Sequence, residues 1–427
     1  MWARSGAMFL TGEADGPPLP APVGPALEAA RALEVLRRTC GGRIGPEVDG
    51  PALLGERAAI FGYRRRGRIS PSGSCRLLRA ADGWLAVNLP RPDDLALLPA
   101  WLEGNVAGDP WKAIESALAG RRALDLARRA RMLGLAVSCL GECGCPADAR
   151  LPSARAPQLV RPRICVEATG PRASERERGE RRRWCERGQG RPPLVVDLSA
   201  LWAGPLCAHL LGLAGARVIK VESIGRPDGA RMGPKRFYDL LNAGKQSVAL
   251  DFSLARERSI LARLLAAADI VVEASRPRAL AQLGADARLL VASRPGIVWV
   301  SITGYGRSGA AAMWCAFGDD AAVAGGLVGE TEQGPVFCAD AIADPLTGIV
   351  AASAALLAWR SGRAVLLDVS MAAVAAHARR IGSGRFAPPQ SVPARPRART
   401  PKQPARALGA DTEAVIRELE SGRLGRA

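Results

Sequence analysis

Histidine is almost absent from this 427-residue chain, which has only His209 and His377. Zinc sites need four ligands, and proteins usually supply them as closely spaced pairs of Cys or His. Cys139, Cys143 and Cys145 form one cluster without a second ligand pair. We therefore expect no metal site and interpret these cysteines as structural or incidental thiols.

Long apolar runs are also missing. No stretch approaches 18 consecutive apolar residues, so we expect no membrane span. Residues 1–10 lack the apolar core of a secretory signal. Ten cysteines are scattered through the long chain, a pattern typical of reduced thiols. These observations predict a cytoplasmic protein.

Aromatic residues make up only 4% of the chain, although its net charge is +18. Much of this excess lies in two segments, residues 171–191 and 379–427, which look non-globular. Nucleic-acid binding usually places aromatic side chains among the basic ones for stacking on bases, and that pattern is absent. We therefore predict no nucleic-acid partner. The remaining positive charge suits a small anionic ligand.

Strand and helix patterns alternate regularly between residues 192 and 378. Within Leu194–Ser253, an apolar run, Leu194–Leu198, precedes Ala-Gly-Pro, a helical stretch and a second strand at Arg217–Val221. Strand, helix and strand within about 30 residues form a βαβ unit with parallel strands. A GxGxxG dinucleotide-binding motif does not follow the first strand. The pattern predicts a doubly wound α/β sheet.

The composition divides the chain into four parts. Residues 1–165 contain helical patterns and a hairpin, and are predicted to form a smaller α+β domain. Residues 166–191 are charged and lack an apolar stripe, so they read as a linker, either disordered or a solvated helix. Residues 192–378 form the α/β domain. Residues 379–427, rich in Pro and Arg, are predicted to be a mobile tail with a short helix near its end.

Asp344 precedes Pro345 and a long apolar helical pattern. Asp followed by Pro is typical of a helix N-cap, and this structural interpretation needs no function. A functional role for Asp344 would be compatible with the N-cap interpretation. A helix N-terminus favours a negative charge and would keep a functional carboxylate ionised.

Several ordered motifs resemble one family, the class III coenzyme A transferases, which also include the 2-methylacyl-CoA racemases. They are AGP after the first strand, GARVIKVE at the second, a GP element and LNxxKxSVALD, all within about 60 residues. The resemblance implies transfer of CoA from an acyl-CoA thioester to a carboxylic acid. It also implies no tightly bound cofactor and an interlocked homodimer.

The same resemblance assigns site residues. Asp344 matches the position of the family's catalytic aspartate, with Asp340 as the alternative nearby. For CoA binding the resemblance implies a set drawn from the AGP turn, the loop after the second strand and the Asn/Lys element: Ala203, Gly204, Arg226, Asn242 and Lys245. A solvated lysine at a strand edge is the alternative interpretation of Lys245.

Two segments echo each other, Gly6–Pro18 and Gly325–Pro335. The family carries such a segment once per copy, upstream of its catalytic acid. We therefore predict that the two halves of a family member stand in swapped order in this chain. The first block would supply the small domain and the second the CoA-binding domain.

The chain also departs from the family. The Asn-Phe-x-Pro-Gly element expected after the strand Asp269–Glu273 reads Ala-Ser-Arg-Pro-Arg, so the contact to adenine is in doubt. The racemases have Gly-His-Asp where residues 318–320 read Gly-Asp-Asp, and two-base racemisation needs a proton acceptor on each face of the α-carbon. A racemase and a non-catalytic CoA-binding subunit remain the alternatives to a transferase.

Overall fold

A seven-stranded, mostly parallel sheet forms the centre of the structure, a computed structural model that describes residues 1–143, 163–381 and 392–424. Its strand order is β4-β12-β9-β8-β5-β6-β7, and only β4 runs antiparallel to its neighbour. Described strands outside it form a three-stranded sheet, β1-β2-β3, and a hairpin, β10-β11. In chain order the strands are β1 (Cys75–Arg79), β2 (Trp84–Asn88), β3 (Ala136–Cys139), β4 (Ile164–Arg172), β5 (Leu194–Asp197), β6 (Arg217–Ser223), β7 (Gln246–Leu250), β8 (Ile270–Glu273), β9 (Val298–Thr303), β10 (Val328–Thr331), β11 (Gly334–Phe337) and β12 (Arg363–Ser370).

Helices cover both faces of the large sheet. In chain order they are α1 (Gly24–Thr39), α2 (Gly50–Leu53), α3 (Glu56–Phe61), α4 (Pro92–Ala96), α5 (Leu98–Leu102), α6 (Pro110–Leu118), α7 (Ala123–Met132), α8 (Glu175–Arg187), α9 (Ala203–Leu213), α10 (Lys235–Asn242), α11 (Ala255–Ala267), α12 (Pro277–Gln282), α13 (Ala287–Ser293), α14 (Gly318–Ala324), α15 (Ala343–Ser361), α16 (Met371–Ile381) and α17 (Thr412–Glu420). One face packs against α1, α9 and α15, and the other against α11, α13 and α17. This confirms the mixed α/β fold class.

The predicted βαβ unit is present as β5, α9 and β6, with β5 and β6 parallel. All four residues of β5 are buried, as expected for an apolar strand in a sheet covered on both faces. The strand order changes direction at β5, because β6 and β7 lie on one side of it and β8, β9 and β12 on the other. In open α/β sheets, ligands bind outside the carboxyl ends of the strands at such a point. The Ala203-Gly204-Pro205 turn follows β5 at this place.

The first block divides between two bodies. Strands β1–β3 and helices α5–α7 share one small core. Helices α1–α3 instead contribute to the core of the large sheet, where α1 lies against α15. Their apolar residues, such as Leu33 and Leu36, are buried in that core. The sequence pattern of α1 reveals an apolar face but not its partner.

The charged segment 166–191 is not a separate linker in the structure. Its first part belongs to β4, an edge strand paired with β12, and its second part is α8. A capping box between Ser174 and Glu177 starts this helix. Trp184 is 3% exposed and stacks edge-to-face on Trp359. A helical stretch was one of the two predicted alternatives, but this buried face was missed because few apolar residues lie among many charges.

The tail also has defined contacts where it is described. Ala394 N–H donates to the Ala3 carbonyl at 2.7 Å, and Ser247 N–H donates to Asp411 Oδ2 at 2.8 Å. Arg399 pairs with Glu56 at 2.6 Å. The short helix predicted near the end is α17. Residues 392–424 therefore differ from the predicted mobile tail, because polar contacts tie them to both blocks.

None of the described helices is long and apolar enough to cross a membrane. The same ranges contain no group of three or more His, Cys, Asp or Glu placed to hold a metal ion. Cys145, one of the three clustered cysteines, lies outside the described residues.

Candidate active site

Asp344 lies in the first turn of α15. The residue at the N-cap position is Ile342, and no side chain caps this helix end. The interpretation of Asp344 as the N-cap is therefore wrong by two positions. The residue is partly exposed, and a backbone hydrogen bond from Gly318 reaches its carboxylate. A carboxylate in this turn lies near the positive end of the helix dipole.

The first turn of α15 packs closely against the start of α9. Gly348 lies one turn after Asp344, and a Cβ atom there would be 2.6 Å from the Ala203 carbonyl oxygen. Only glycine allows this approach of two helices. Asp344 is therefore held beside the Ala-Gly-Pro turn that follows β5.

Gly348→Ala is expected to lower the free energy of unfolding by about 1–3 kcal/mol, because the methyl group has no room and α15 must move away from α9. Urea unfolding measures the change. Gly212→Ala within α9 is the matched control: its Cβ would meet its nearest neighbour at 3.4 Å. Alanine there should be neutral or should stabilise by up to about 1 kcal/mol. Equal losses in both variants would contradict the proposed close contact.

Four carboxyl groups converge at this place. Asp319 and Asp320 lie in the first turn of α14, and Asp340 lies four residues before Asp344. Ala341 N–H donates to Asp319 Oδ1 at 2.8 Å. A Cβ on Gly318 would lie 2.5 Å from Asp344 Oδ2, so the start of α14 abuts the Asp344 carboxylate. The cluster thus joins two helix N-termini.

Arg57 supplies a positive charge to the cluster from α3, in the first block. Its Nε and Nη2 donate to the two oxygens of Asp340 at 2.8 and 2.6 Å, a bidentate ion pair. Asp340 is completely buried, and the Arg57 side chain is 21% exposed. The guanidinium also lies 5.0 Å from the ring centre of Trp202, the residue before the Ala-Gly-Pro turn.

Burial dominates the electrostatics of three of these acids. It raises the pKa of Asp319, Asp320 and Asp344 to about 7 each. For Asp344, Arg57 and the Gly318 N–H oppose this rise in pKa, and the negative charge of Asp340 adds to it. Arg57 and the Gly318 N–H thus favour the ionised form of Asp344 against the effect of burial, and the ionised form is the one that acts as a nucleophile.

Asp320→Asn is expected to stabilise the protein, and to do so more at about pH 8 than at about pH 5. Asp320 Oδ1 accepts from Asn88 Nδ2 at 2.8 Å, while Oδ2 has no hydrogen-bond partner among the described residues. Because the folded pKa of about 7 exceeds the ordinary value of 3.8, the acid's contribution to stability is lost as pH rises through about 7. Asparagine never ionises. Urea unfolding at the two pH values checks this, and an equal gain at both would contradict it.

Strained backbone marks both sides of the site. Among non-glycine residues of the described parts, four have positive φ, and three of them lie here. Leu201 (φ 69°) precedes the Ala-Gly-Pro turn, and Ala339 (57°) and Ala341 (41°) flank Asp340. The left-handed region costs roughly 1–2 kcal/mol per residue. Such strain concentrates where the surrounding structure holds a functional geometry.

The two turn residues predicted to bind CoA begin α9. Ala203 is buried beside α15, and a Cβ on Gly204 would meet Ser199 Cβ at 2.2 Å. Glycine is thus needed at 204 for the turn itself. The structure places Ala203 against Gly348, one helical turn after Asp344. Direct contact with CoA stays a prediction for both turn residues.

Lys245 and Asn242 lie inside the protein. The Lys245 ammonium donates to Asp197 Oδ2 at 2.8 Å, to Asn242 Oδ1 at 2.9 Å and to the Pro205 carbonyl at 3.0 Å. Lys245 is 4% exposed and Asn242 2%. The burial of Lys245 does not match the alternative of a solvated lysine at a strand edge. That they bind CoA stays a prediction, and in this structure all three ammonium hydrogens serve protein acceptors.

Arg226 lies exposed on the loop after β6, away from the interior network of Lys245. Its predicted role in CoA binding also stays untested. The fallback acid, Asp340, is completely buried and tied to Arg57 in a bidentate pair, whereas Asp344 is a partly exposed residue. The geometry therefore favours Asp344 over Asp340 as the reactive group.

Sequence reasoning missed Arg57, Asn88 and the backbone N–H of Gly318. The pair between Arg57 and Asp340 joins residues 283 positions apart, so no local pattern reveals it. Asp319 and Asp320 were noted only as the position where racemases have histidine. The adjacent acids in GDD, ahead of a helix, were the one available signal.

The family model for CoA-transferase family III matches residues 193–408, half of the chain. The chain belongs to CoA-transferase family III. The match covers β5 to β12 and therefore the turn at Ala203 and the helix of Asp344. The similarity implied by the AGP and LNxxKxSVALD motifs is confirmed at the level of the family.

Several curated members are similar to this family III chain. The succinate–glutarate CoA-transferase of Agrobacterium fabrum is 33% identical over 207 residues, covering 42% of this chain and 51% of that protein. The succinyl-CoA–D-citramalate CoA-transferase of Chloroflexus aurantiacus is 30% identical, covering 42% and 48%. The human alpha-methylacyl-CoA racemase is 34% identical over 116 residues, covering 27% and 28%. The chain spans about half the length of the curated transferases it matches.

Solved structures of similar chains include a hypothetical protein from Mycobacterium tuberculosis and a CAIB/BAIF family protein from Brucella suis. The first is 31% identical with a TM-score of 0.40, covering 43% of this chain and 55% of that one. The second is 29% identical with a TM-score of 0.40, covering 43% and 53%.

Proposed function

We propose that this family III chain transfers coenzyme A from an acyl-CoA thioester to a carboxylic acid, with Asp344 as the covalent carrier. One observation carries the proposal: Asp344, a partly exposed residue, lies one helical turn before the contact of Gly348 with the Ala203 turn, at the point where the strand order changes direction. Crevices at this point of a doubly wound sheet are common ligand sites.

In the first half-reaction, the Asp344 carboxylate attacks the thioester carbonyl. A mixed anhydride forms and CoA leaves as thiolate. The thiolate then attacks the Asp344 carbonyl of the anhydride, which gives an aspartyl-CoA thioester and releases the donor acid with one oxygen from Asp344. Covalent catalysis thus divides one difficult exchange into easier steps.

The second half-reaction is the reverse with a new acid. The carboxylate of the acceptor attacks the aspartyl-CoA thioester, and an anhydride and CoA thiolate form again. The thiolate attacks the acceptor's carbonyl, so the new acyl-CoA leaves and Asp344 is regenerated as a carboxylate. Negative charge develops on the attacked oxygen in each step, and backbone N–H groups stabilise such charge. The Gly318 N–H, already hydrogen-bonded to the Asp344 carboxylate, is our candidate donor.

The CoA moiety would extend from Asp344 past the start of α9. Ala203 and Gly204 would provide backbone contacts, and Arg226 on the exposed loop would meet a phosphate. Two further expectations join this proposal: the family halves stand in swapped order, and two chains form an interlocked homodimer. Light scattering after gel filtration tests the dimer.

Mass spectrometry after incubation with a panel of acyl-CoA donors tests the function. We expect at least one donor to leave a CoA adduct on the peptide that contains Asp344. The donor that forms the adduct identifies the acyl group that the enzyme accepts. The Asp344→Asn variant should carry no adduct. CoA binding without adduct or transfer would instead favour the non-catalytic subunit.

A racemase is the second candidate, because burial raises the pKa of both Asp319 and Asp344 to about 7. Carboxyl groups whose pKa lies near neutrality can accept and release protons at that pH. Asp319 stands where the racemases have histidine. Incorporation of deuterium at the α-carbon of a 2-methylacyl-CoA in D₂O would support this candidate, and CoA transfer without incorporation would support the transferase.

A further inference from the structure

The charged groups around Asp344 come from four places in the chain. Asp320 faces it from α14, and Asp340 from the strained segment before α15. Asp319, beside Asp320, accepts from the Ala341 N–H of that segment. Arg57 faces it from α3, and Tyr63, whose ring centre lies 5.9 Å from the Arg57 guanidinium, follows that helix. The acids outnumber the cation, so the position of the Arg57 charge matters to every acid in the cluster.

We propose that Arg57 is a positioning residue for the Asp344 nucleophile, and that Asp340 holds its guanidinium in the place from which it favours the ionised form of the Asp344 carboxylate. The first block of the chain would thereby supply part of the active site in the second. This role rests on the proposed function, because only a nucleophilic Asp344 needs to be kept ionised.

The guanidinium is fixed on several sides. Both oxygens of the buried Asp340 accept from it, and the Trp202 ring lies beneath it at 5.0 Å. Glu56, the neighbour of Arg57 in α3, is held by Arg399 from the C-terminal segment at 2.6 and 2.9 Å. A charge held in this way acts on Asp344 without the cost of reorganisation when the substrate arrives.

The backbone around Asp340 supports the same role. Ala339 and Ala341 both adopt left-handed conformations, although glycine would adopt them without strain. Ala339 N–H donates to Thr11 Oγ1 at 3.0 Å, and Ala341 N–H to Asp319 Oδ1 at 2.8 Å. Contacts from the first block and from α14 therefore hold the two strained residues that flank Asp340, whose carboxylate makes the bidentate contact with Arg57.

Removing the positive or the negative charge of the pair should shift the titration of Asp344 in opposite directions. Arg57→Gln leaves the negative charge of Asp340 without its partner, so Asp344 should hold its proton to higher pH. Asp340→Asn leaves the positive charge of Arg57, so Asp344 should lose its proton at lower pH. The double variant should fall between the two single variants, since both charges are removed. A merely structural role for the pair predicts no such change of sign.

The experiment compares the acidic limb of the pH–rate profile for CoA transfer in wild type, Arg57→Gln, Asp340→Asn and the double variant. We expect shifts of about one pH unit upward and downward for the single variants, a typical effect of one nearby charge. Arg57→Lys should shift the limb less than Arg57→Gln, because lysine keeps the positive charge but cannot form the bidentate contact with Asp340. Arg217→Gln removes an ion pair with Glu418 at the start of β6 and should leave the limb unchanged.

A second readout needs no substrate. Selective ¹³C labelling of aspartate carboxyls, with the Asp344 signal assigned by its loss in Asp344→Asn, follows the titration of Asp344 directly. If wild type turns over no acyl-CoA, the proposed function fails, and this titration still decides whether Arg57 and Asp340 control the Asp344 charge. If Arg57→Gln does not fold, Asp340→Asn and Arg57→Lys carry the test. Shifts of the same sign for both single charge removals, or no shift, overturn the proposal.

Discussion

Asp344→Asn is expected to lower the rate of CoA transfer by about 10⁴-fold or more, since it removes the atom that forms both covalent intermediates. The asparagine side chain has nearly the same shape, so the packing of α15 against α9 should persist. The protein should also become more stable at neutral pH. Burial raises the pKa of the Asp344 carboxyl to about 7, so its ionisation destabilises the fold, and the amide does not ionise.

Asp286→Asn is the matched control for this variant. Asp286 also lies at a helix start, where it caps α13 by accepting from Arg288 N–H at 2.8 Å, and asparagine caps almost equally well. Transfer activity and stability should both remain at the wild-type level. An Asp344→Asn enzyme that retains a tenth or more of the activity would remove Asp344 from the mechanism.

Lys245→Met is expected to lower the free energy of unfolding by about 3–5 kcal/mol, the usual cost of leaving one buried charge without its partner. Asp197 is completely buried and would lose its ammonium contact with Lys245 at 2.8 Å. The Pro205 carbonyl, at the turn that starts α9, would lose its donor as well. Urea unfolding at neutral pH measures the loss.

The double variant Asp197→Asn with Lys245→Met separates the two explanations for Lys245. It removes both charges and keeps an acceptor for Ser199, so most of the stability should return. A phosphate-binding lysine would behave differently, since Lys245→Met would then fold normally and raise only the KM for acyl-CoA. That result would restore the predicted CoA contact and contradict the structural role.

The pH dependence of stability should reflect the same network. Lys245 and Lys220 overcome the effect of burial and lower the pKa of Asp197. A lowered pKa contributes stability above the pKa of the unfolded chain, and that stability is lost as the pH falls through the folded pKa. Asp197 therefore acts in the opposite sense to Asp319, Asp320 and Asp344, whose contributions are lost as the pH rises.

Local features of the fold could be predicted from the sequence because short-range patterns fix them. The strand Leu194–Asp197, the helix after Ala-Gly-Pro and the strand from Arg217 are encoded by apolar periodicity and by turn residues. The helix that begins beside Pro345 is encoded in the same way. The N-cap assignment of Asp344 missed by two residues, since the backbone turns earlier at Ala341 and Ile342.

Long-range contacts could not be predicted. Neither local sequence indicates the Arg57–Asp340 pair. Lys245 and Asp197 form their ion pair although they are 48 positions apart. Trp184 is buried within a helix whose composition suggests a solvated segment, because one aromatic contact with Trp359 decides its packing. Conformational preferences act over a few residues, whereas these contacts depend on how whole elements pack.

Labelled oxygen tests the central claim most directly. During turnover with an acceptor acid labelled with ¹⁸O in its carboxylate, the proposed route returns one acceptor oxygen to Asp344 in each cycle. The peptide that contains Asp344 should therefore gain about 2 Da and then about 4 Da, while peptides with other acids stay unlabelled. Transfer that proceeds with no ¹⁸O in this peptide would show that Asp344 never becomes an anhydride, and the account would be wrong.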